Sequence, residues 1–275
     1  PVKSQTDLAE VIRCVWLTPL QDRVFMDGAS ARRKLIDRWV FTADPAHAGR
    51  MTRLDRLLAE RNRVLAMNRA DPLWLDAVEH DLAATAIAVM TARIDYLDRL
   101  RHAVQRVNTS HFPTPDFRMT GFMEDRIGVI PAVTAEKYYA DRLREARARD
   151  AAAEATTMGP HRVDIQVTYA DKNMPAGACS TGEQKALLFA LFLAHTRLIR
   201  DETGEAPMVL LDEITAHLDP ARRAALFETL RDVGAQVFLT ATTADQFSDI
   251  PSAQIFHFDY GFVHTDLDHR KYYTS

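Results

Sequence analysis

An α/β fold carrying an inserted stretch of long helices is predicted by three observations. Met208 to Leu211 is a short apolar run closed by Asp212-Glu213, the pattern of a buried strand that delivers two carboxylates to its C-terminal edge. Upstream, Ser180 and Glu183 stand in capping-box register just ahead of the apolar run Ala186 to Ala194, so a helix begins there. Between Asp44 and Val104, apolar positions recur at helical spacing over far more residues than an ordinary helix occupies.

The 275 residues suffice for one large domain or two smaller ones, and 47% apolar with 26% charged content is that of an ordinary globular protein. A net charge of −4 excludes a uniformly basic nucleic-acid coat but leaves room for a local basic face. Cys14 and Cys179 have neither metal-ligand spacing nor a disulfide framework, and they fit a reducing, cytoplasmic setting. The longest apolar run, Ala186 to Ala194, is far too short to span a bilayer, so no membrane association is expected. The first residue is Pro1 and no charged-then-apolar leader follows it, which predicts a piece of a longer protein.

Residues 11–18 combine β-branched and aromatic side chains and stop at Pro19, predicting a strand that closes in a loop. Ala29 to Trp39 has helical spacing, with Leu35, Ile36 and Trp39 on one side and Arg32, Arg33 and Lys34 on another. That cluster by itself reads as a solvated basic face. Asp44-Pro45 starts a helix whose stripe of Leu54, Leu57, Leu58, Val64 and Leu65 runs on toward Met67. Asp71-Pro72 starts another, and from Leu75 to Val104 its apolar positions predict a helix on the order of thirty residues. Two long consecutive helices joined by a short turn predict an antiparallel arm; the alternative is a bundle layer inside one globule.

Pro113 and Pro115 break residues 108–117 into a loop or short edge strand. Residues 135–153 return to helix, with Arg142, Arg144, Arg147 and Arg149 among acids, read as a solvated face with local ion pairs. Val163 to Tyr169 alternates and predicts a strand. His161, a lone histidine, is read as structural. Pro220 to Val233 is a helix ended by Gly234, Gln236 to Thr242 a buried strand, and Ile255 to His264 a hairpin turning at Asp259-Tyr260-Gly261.

The chemistry concentrates between Gly177 and Asp219. Asp212 can hold a metal through water, and Glu213 can orient or deprotonate a water attacking a terminal phosphate. The free N–H groups and positive dipole end of the helix at Ser180, Thr181 and Gly182 form a phosphate cradle, and Gly182 lets backbone approach closely. The same box also serves an ordinary capped core helix. Asp219 before Pro220 likewise reads as an N-cap. Gly177 and Gly182 have the separation of a G-x-x-x-x-G-K-[ST] loop, but Glu183-Gln184 stand where Lys and Ser/Thr are required, so that match is accidental.

The order Ser180-Thr181-Gly182-Glu183-Gln184, Val209-Leu210-Leu211-Asp212-Glu213 and Ala216-His217-Leu218-Asp219 resembles the signature, Walker B and D-loop of an ABC-type ATPase head, a P-loop NTPase. In detail it looks like the RecF family of bacterial DNA replication and repair proteins. Val15 to Pro19, Arg32-Arg33 to Asp37-Arg38, Glu60-Arg61-Asn62, Gly159 to Arg162 and Val237 to Thr242 extend the resemblance along most of the chain. Two features depart from it: the family's opening strand and phosphate loop have no match here, and Thr242-Thr243 stand where many ABC transporters carry a histidine.

The resemblance implies an ABC-ATPase head lacking its N-terminal part, with residues 1–43 and 156–275 in the head and 44–155 as an inserted long-helix arm. It implies ATP and Mg²⁺ as cofactors. Ser180, Thr181, Gly182, Gln184 and Asp219 are then nucleotide-facing, with Ser180 and Gly182 on the γ-phosphate of a partner subunit. Asp212 becomes the metal ligand and Glu213 the residue on the attacking water. Gln21 falls in the glutamine-bearing loop of such heads, against the simpler reading of a solvent-facing side chain. Arg32, Arg33 and Lys34 would meet DNA. Implied partners are double-stranded and junction DNA, RecO and RecR, and a second copy in an ATP-dependent homodimer that promotes RecA loading in the cytoplasm. Without a phosphate loop, the chain as given is expected neither to bind ATP tightly nor to hydrolyse it. The rival classes are a transporter's nucleotide-binding subunit, disfavoured by the long arm and absent histidine, and a non-catalytic interaction module.

Overall fold

The computed structural model describes residues 8, 11–67, 71–107, 111–121, 123–213, 218–247, 250, 253–259 and 262–265. In chain order the elements are β1 (Cys14–Leu17), a 3-10 turn (Pro19–Arg23), α1 (Ala29–Ala43), α2 (Ala46–Leu65), α3 (Pro72–Arg106), β2 (Pro115–Thr120), α4 (Ala132–Glu145) and α5 (Arg147–Ala152). There follow β3 (Asp164–Tyr169), β4 (Met174–Pro175), α6 (Thr181–Thr203), β5 (Met208–Asp212), α7 (Pro220–Val233), β6 (Val237–Thr240), β7 (Phe256–Asp259) and β8 (Phe262–Thr265).

Strands β1, β5 and β6 make a parallel sheet in that spatial order, with Leu17 opposite Leu211 and Asp212 opposite Thr240. The two-residue period sends Val15, Leu17, Val209 and Leu211 into the core and leaves Leu210 and Phe238 on the open face. Because the strands run the same way, their C-terminal ends converge on one edge. Antiparallel β2, β3 and β4 form a second sheet, with Phe117 opposite Val167. Strands β7 and β8 form the expected hairpin; its turn at Tyr260-Gly261 lies outside the described residues.

Helix α3 begins where the sequence predicts, since the Asp71 carboxylate accepts from the Leu73 N–H at 2.9 Å and Pro72 occupies the first helical position. It runs for 35 residues, about 50 Å at the standard helical rise. Arg53 meets Asp81 at 3.2 Å, and Glu60 accepts from Trp74 at 3.2 Å, so α2 and α3 lie antiparallel. The apolar stripe of α3 continues past α2. Its Leu97, Leu100 and Val104 share a core with Leu187 and Phe189 of α6 and with Leu211. One core therefore runs through residues 44–155 and the flanking segments without a break.

Two buried arginines organise the helical layer. Arg61 on α2 is 0% exposed; its guanidinium donates to Glu79 (2.9 Å), Asp150 (2.7 Å), Thr156 Oγ1 (2.9 Å) and the Leu143 carbonyl (2.8 Å). Burying a charge is tolerable only when it is paired and fully hydrogen-bonded, and this one is both. Arg147 was expected to sit in local ion pairs; it reaches instead across to α3, at 2.6 Å from Glu79 and 2.5 Å from Asp76. The Arg142–Glu145 pair, at 2.6 Å, is local and exposed as expected. Arg93 on α3 forms two 2.7 Å bonds to Asp37 of α1 and donates to the Pro160 carbonyl at 2.7 Å. His47 also meets Asp37, at 2.9 Å.

Farther along α3 the Tyr96 hydroxyl lies 2.8 Å from Nδ1 of His195, which stacks on Trp39. Burial pushes the His195 pKa down to about 3, so this imidazole is neutral. Gly159 has φ +140°, and a Cβ there would collide with the Tyr139 hydroxyl, which donates to the Met158 carbonyl at 2.8 Å. The glycine of the Gly159-Pro160-His161-Arg162 segment is thereby explained by close approach. His161 is structural as read, its Nε2 2.8 Å from the Thr156 carbonyl oxygen.

Candidate functional site

The sheet edge carries the acidic pair. Asp212 ends β5, and its Oδ1 accepts from the Thr240 hydroxyl at 2.6 Å. The same hydroxyl oxygen accepts from the backbone N–H of Glu213 at 3.0 Å. Glu213 has φ +49°, in the left-handed region a non-glycine residue occupies only when its surroundings hold it there. Thr240 is that hold: the parallel register sets it directly opposite Asp212, so one side chain fixes both acidic residues. Both carboxylates are exposed, and an edge of carboxylate oxygens is the donor set a hard divalent cation takes alongside water and phosphate oxygens. Among the described residues no group of three or more His, Cys, Asp or Glu forms a closed metal cage.

The capping box at Ser180 and Glu183 is built as read. Ser180 caps α6, its hydroxyl 3.4 Å from the Glu183 N–H, while Glu183 Oε2 accepts from the Ser180 N–H at 2.9 Å and from its hydroxyl at 2.7 Å. Lys172 also bonds Glu183. The Lys172 bond first, and the Ser180 bonds next, hold the Glu183 pKa at about 2. Thr181 and Gly182 are exposed on the first turn, and nothing lies within 4 Å of where a Gly182 side chain would begin. The first turn thus offers backbone N–H groups to an incoming anion. Gln184 stands apart: it is 6% exposed and donates to the Cys179 carbonyl at 2.8 Å, so it braces the cap from inside.

Gln21 follows β1 at the same sheet edge. Its Oε1 accepts from the Thr18 N–H at 2.7 Å and from the Thr18 hydroxyl at 3.0 Å, capping its own 3-10 turn. That turn is tied to the signature helix by the Asp22–Lys185 ion pair, at 2.7 Å. Gly177 adds a second tie, since a Cβ there would come within 2.9 Å of the Phe25 carbonyl oxygen. Asp219 caps α7, accepting from the Arg222 N–H at 2.9 Å. Ala216 and His217, the first half of that motif, lie outside the described residues.

The basic cluster divides. Arg32 grips both oxygens of Asp164 (2.8 and 3.0 Å) and donates to the Asp27 carbonyl. Arg33 donates to the Val163 carbonyl at 2.6 Å, and burial, then neighbouring Arg93, lowers its pKa. Lys34 alone of the three points to solvent. Sequence reasoning assigned no role to Thr240 or to Asp22–Lys185. A hydroxyl at the end of the strand paralleling the acidic one was a usable signal for the first. The second joins residues too far apart for any local pattern.

The matched protein-family profile, "AAA domain, putative AbiEii toxin, Type IV TA system", covers residues 52–241. A protein of Agrobacterium fabrum (strain C58), the "DNA replication and repair protein RecF", is 45% identical over 263 residues, spanning 95% of this chain and 70% of its own length. The RecF of Rhizobium rhizogenes (strain K84) is 43% identical over 263 residues, again covering 95% of this chain and 70% of the relative. A solved "recombination mediator protein RecF-ATP in RecFOR pathway" superposes with a TM-score of 0.81 at 20% identity, over 96% of this chain and 70% of that one. That last likeness speaks to the fold.

Proposed function

This chain belongs to the RecF family of DNA replication and repair proteins, and from that membership we propose that it acts in an ATP-dependent clamp closing on gapped or junction DNA. The observation that carries the reading is the Asp212-Glu213 pair at the sheet edge, with both residues fixed by Thr240. The ATP-bound RecF relative, similar in fold, supports ATP as the nucleotide, and its RecFOR pathway supports RecO and RecR as partners. RecA loading is the proposed outcome of that partnership.

In this reading Asp212 holds the metal side of the nucleotide. Bound Mg²⁺ would supply charge neutralisation at the phosphates. Glu213 orients the water that attacks the terminal phosphate and accepts its proton. Thr240 holds the Asp212 carboxylate and the backbone of Glu213 in place. Gln21 and Asp219 border the same nucleotide. The N–H groups of Thr181 and Gly182, with the Ser180 hydroxyl, serve the γ-phosphate of a second copy. ATP between two copies then favours only the closed dimer, which converts nucleotide binding into closure. Hydrolysis reopens it.

The test is Glu213→Gln in the full-length protein, with dimer lifetime on gapped duplex followed in the presence of ATP. Retained ATP binding with slowed hydrolysis and a longer-lived dimer is expected. Unchanged turnover removes Glu213 from the reaction.

A further inference from the structure

We propose that a cleft between the turn after β1 and helix α1 is a binding site for a single phosphate group, held by Arg38, Lys34 and the amide of Gln21. The site shares Gln21 with the nucleotide of the clamp reading, and its two cations, Arg38 and Lys34, lie outside that reading.

The cleft has a volume of about 170 Å³ and is walled by Leu20, Val24 and Leu35 around those three polar side chains. All three are donors. Lys34 and Arg38 are separated by one helical turn and lie on one face of α1, where like charges repel. Arg32 on the same helix finds Asp164, but among the described residues neither Lys34 nor Arg38 forms an ion pair. Arg38 donates one N–H to the Trp16 carbonyl at 3.1 Å and lies 4.4 Å from the centre of the Trp16 ring, while its Nε is buried without a partner. Burial alone lowers its pKa to about 10, with no carboxylate acting to restore it. The Gln21 oxygen is held twice by Thr18, which leaves its NH₂ as the free end.

A partly buried cation without a counter-charge is costly, and a second cation one turn away adds to that cost. An oxyanion in the cleft relieves both. A guanidinium matches the edge of a phosphate with paired bonds, and the ammonium supplies a point charge. A phosphate monoester turns three terminal oxygens and up to two charges toward three converging donors, whereas a carboxylate offers one charge and acceptors in a single plane. A duplex backbone needs a line of exposed cations, and a recess with one exposed lysine offers none. Free phosphate, a nucleotide and the phosphorylated end of a DNA strand share the required chemistry.

Trp16 reports the site, because an anion that moves the Arg38 guanidinium changes the environment of the ring beneath it. The protein is titrated with inorganic phosphate while Trp16 emission is followed, with Trp16→Phe as the signal control. Saturable binding is expected, weakened about tenfold by Arg38→Gln and about threefold by Lys34→Gln, the scale of losing one partly screened charged bond. Lys34 is exposed, so Lys34→Gln keeps the test open even where Arg38→Gln unfolds. Competition by a 5′-phosphorylated oligonucleotide but not its unphosphorylated twin identifies a strand end as the source. Competition by ATP identifies a nucleotide, and either supports the site. Absence of saturable phosphate binding, or wild-type affinity in the Lys34→Gln protein, overturns it.

Discussion

Replacing Arg61 with leucine removes the closer and only buried one of the two cations beside Asp150, at 2.7 Å, and leaves the exposed Arg149 at 3.8 Å. Glu79 keeps Arg147 at 2.6 Å, so the loss falls mainly on Asp150, which is 0% exposed, and on the Thr156 hydroxyl and Leu143 carbonyl. Removing one partner of a buried pair costs about 3–5 kcal/mol. For a domain of this size that lowers Tm by about 6–20 °C. Urea unfolding followed by circular dichroism should show the midpoint falling with little change in slope. Burial pushes the Asp150 pKa up, but the bonds from Thr157 and Arg61 outweigh it, and the folded value lies below the ordinary carboxylate range. The stability it contributes is therefore present above pH of about 4 and is lost as pH falls through the lower folded value. Arg61→Leu should shift that acid loss to higher pH. An apolar replacement of Arg61, Glu79 and Asp150 together should recover most of the stability, because the desolvation cost leaves with the charges. A loss under about 1 kcal/mol in the single variant would refute the reasoning, since that is the scale of a solvated pair.

Three further outcomes follow from the site. Ser180→Arg should abolish ATP-dependent dimerisation while leaving monomer nucleotide affinity nearly intact, as read by sedimentation with and without ATP; a variant that dimerises normally limits Ser180 to capping α6. The depressed Glu183 pKa, about 2, means the cap stays charged until pH falls well below the ordinary range, and Lys172→Gln should raise that pKa in an NMR titration. Arg32→Gln should leave the salt slope of any DNA binding alone and destabilise the fold, because Arg32 holds Asp164.

What the sequence disclosed was local. The Ser180–Glu183 cap, the strand ending at Asp212, the Asp219 cap and the Asp71-Pro72 helix start each rest on residues within a few positions of one another, and each stands where it was read. Long-range pairing was invisible. Arg61, Glu79 and Asp150 lie on three helices, and although Glu60-Arg61-Asn62 belongs to the family resemblance, no local pattern names the partners of Arg61. The helix read over 135–153 divides at Ala146 into α4 and α5, a break that an alanine among good helix formers does not announce. The basic cluster showed charge but not direction: whether Arg32 faces DNA or Asp164 depends on β3, far along the chain. Gln184, four residues after the Ser180 cap, was read with the ligand-facing turn, and helical rotation carries it into the core.

Helix α3 belongs to both layers at once. Its early turns bear on α2 through Asp81, while its late turns place Tyr96 against His195 and Leu97, Leu100 and Val104 beneath α6. The helical stretch is therefore not a cassette that could be swapped between relatives or excised to leave an intact core behind. Amide exchange should report one cooperative opening along the length of α3, with no boundary partway. A push on the far end of the rod would arrive, undiminished by any hinge, under the helix that carries the signature turn.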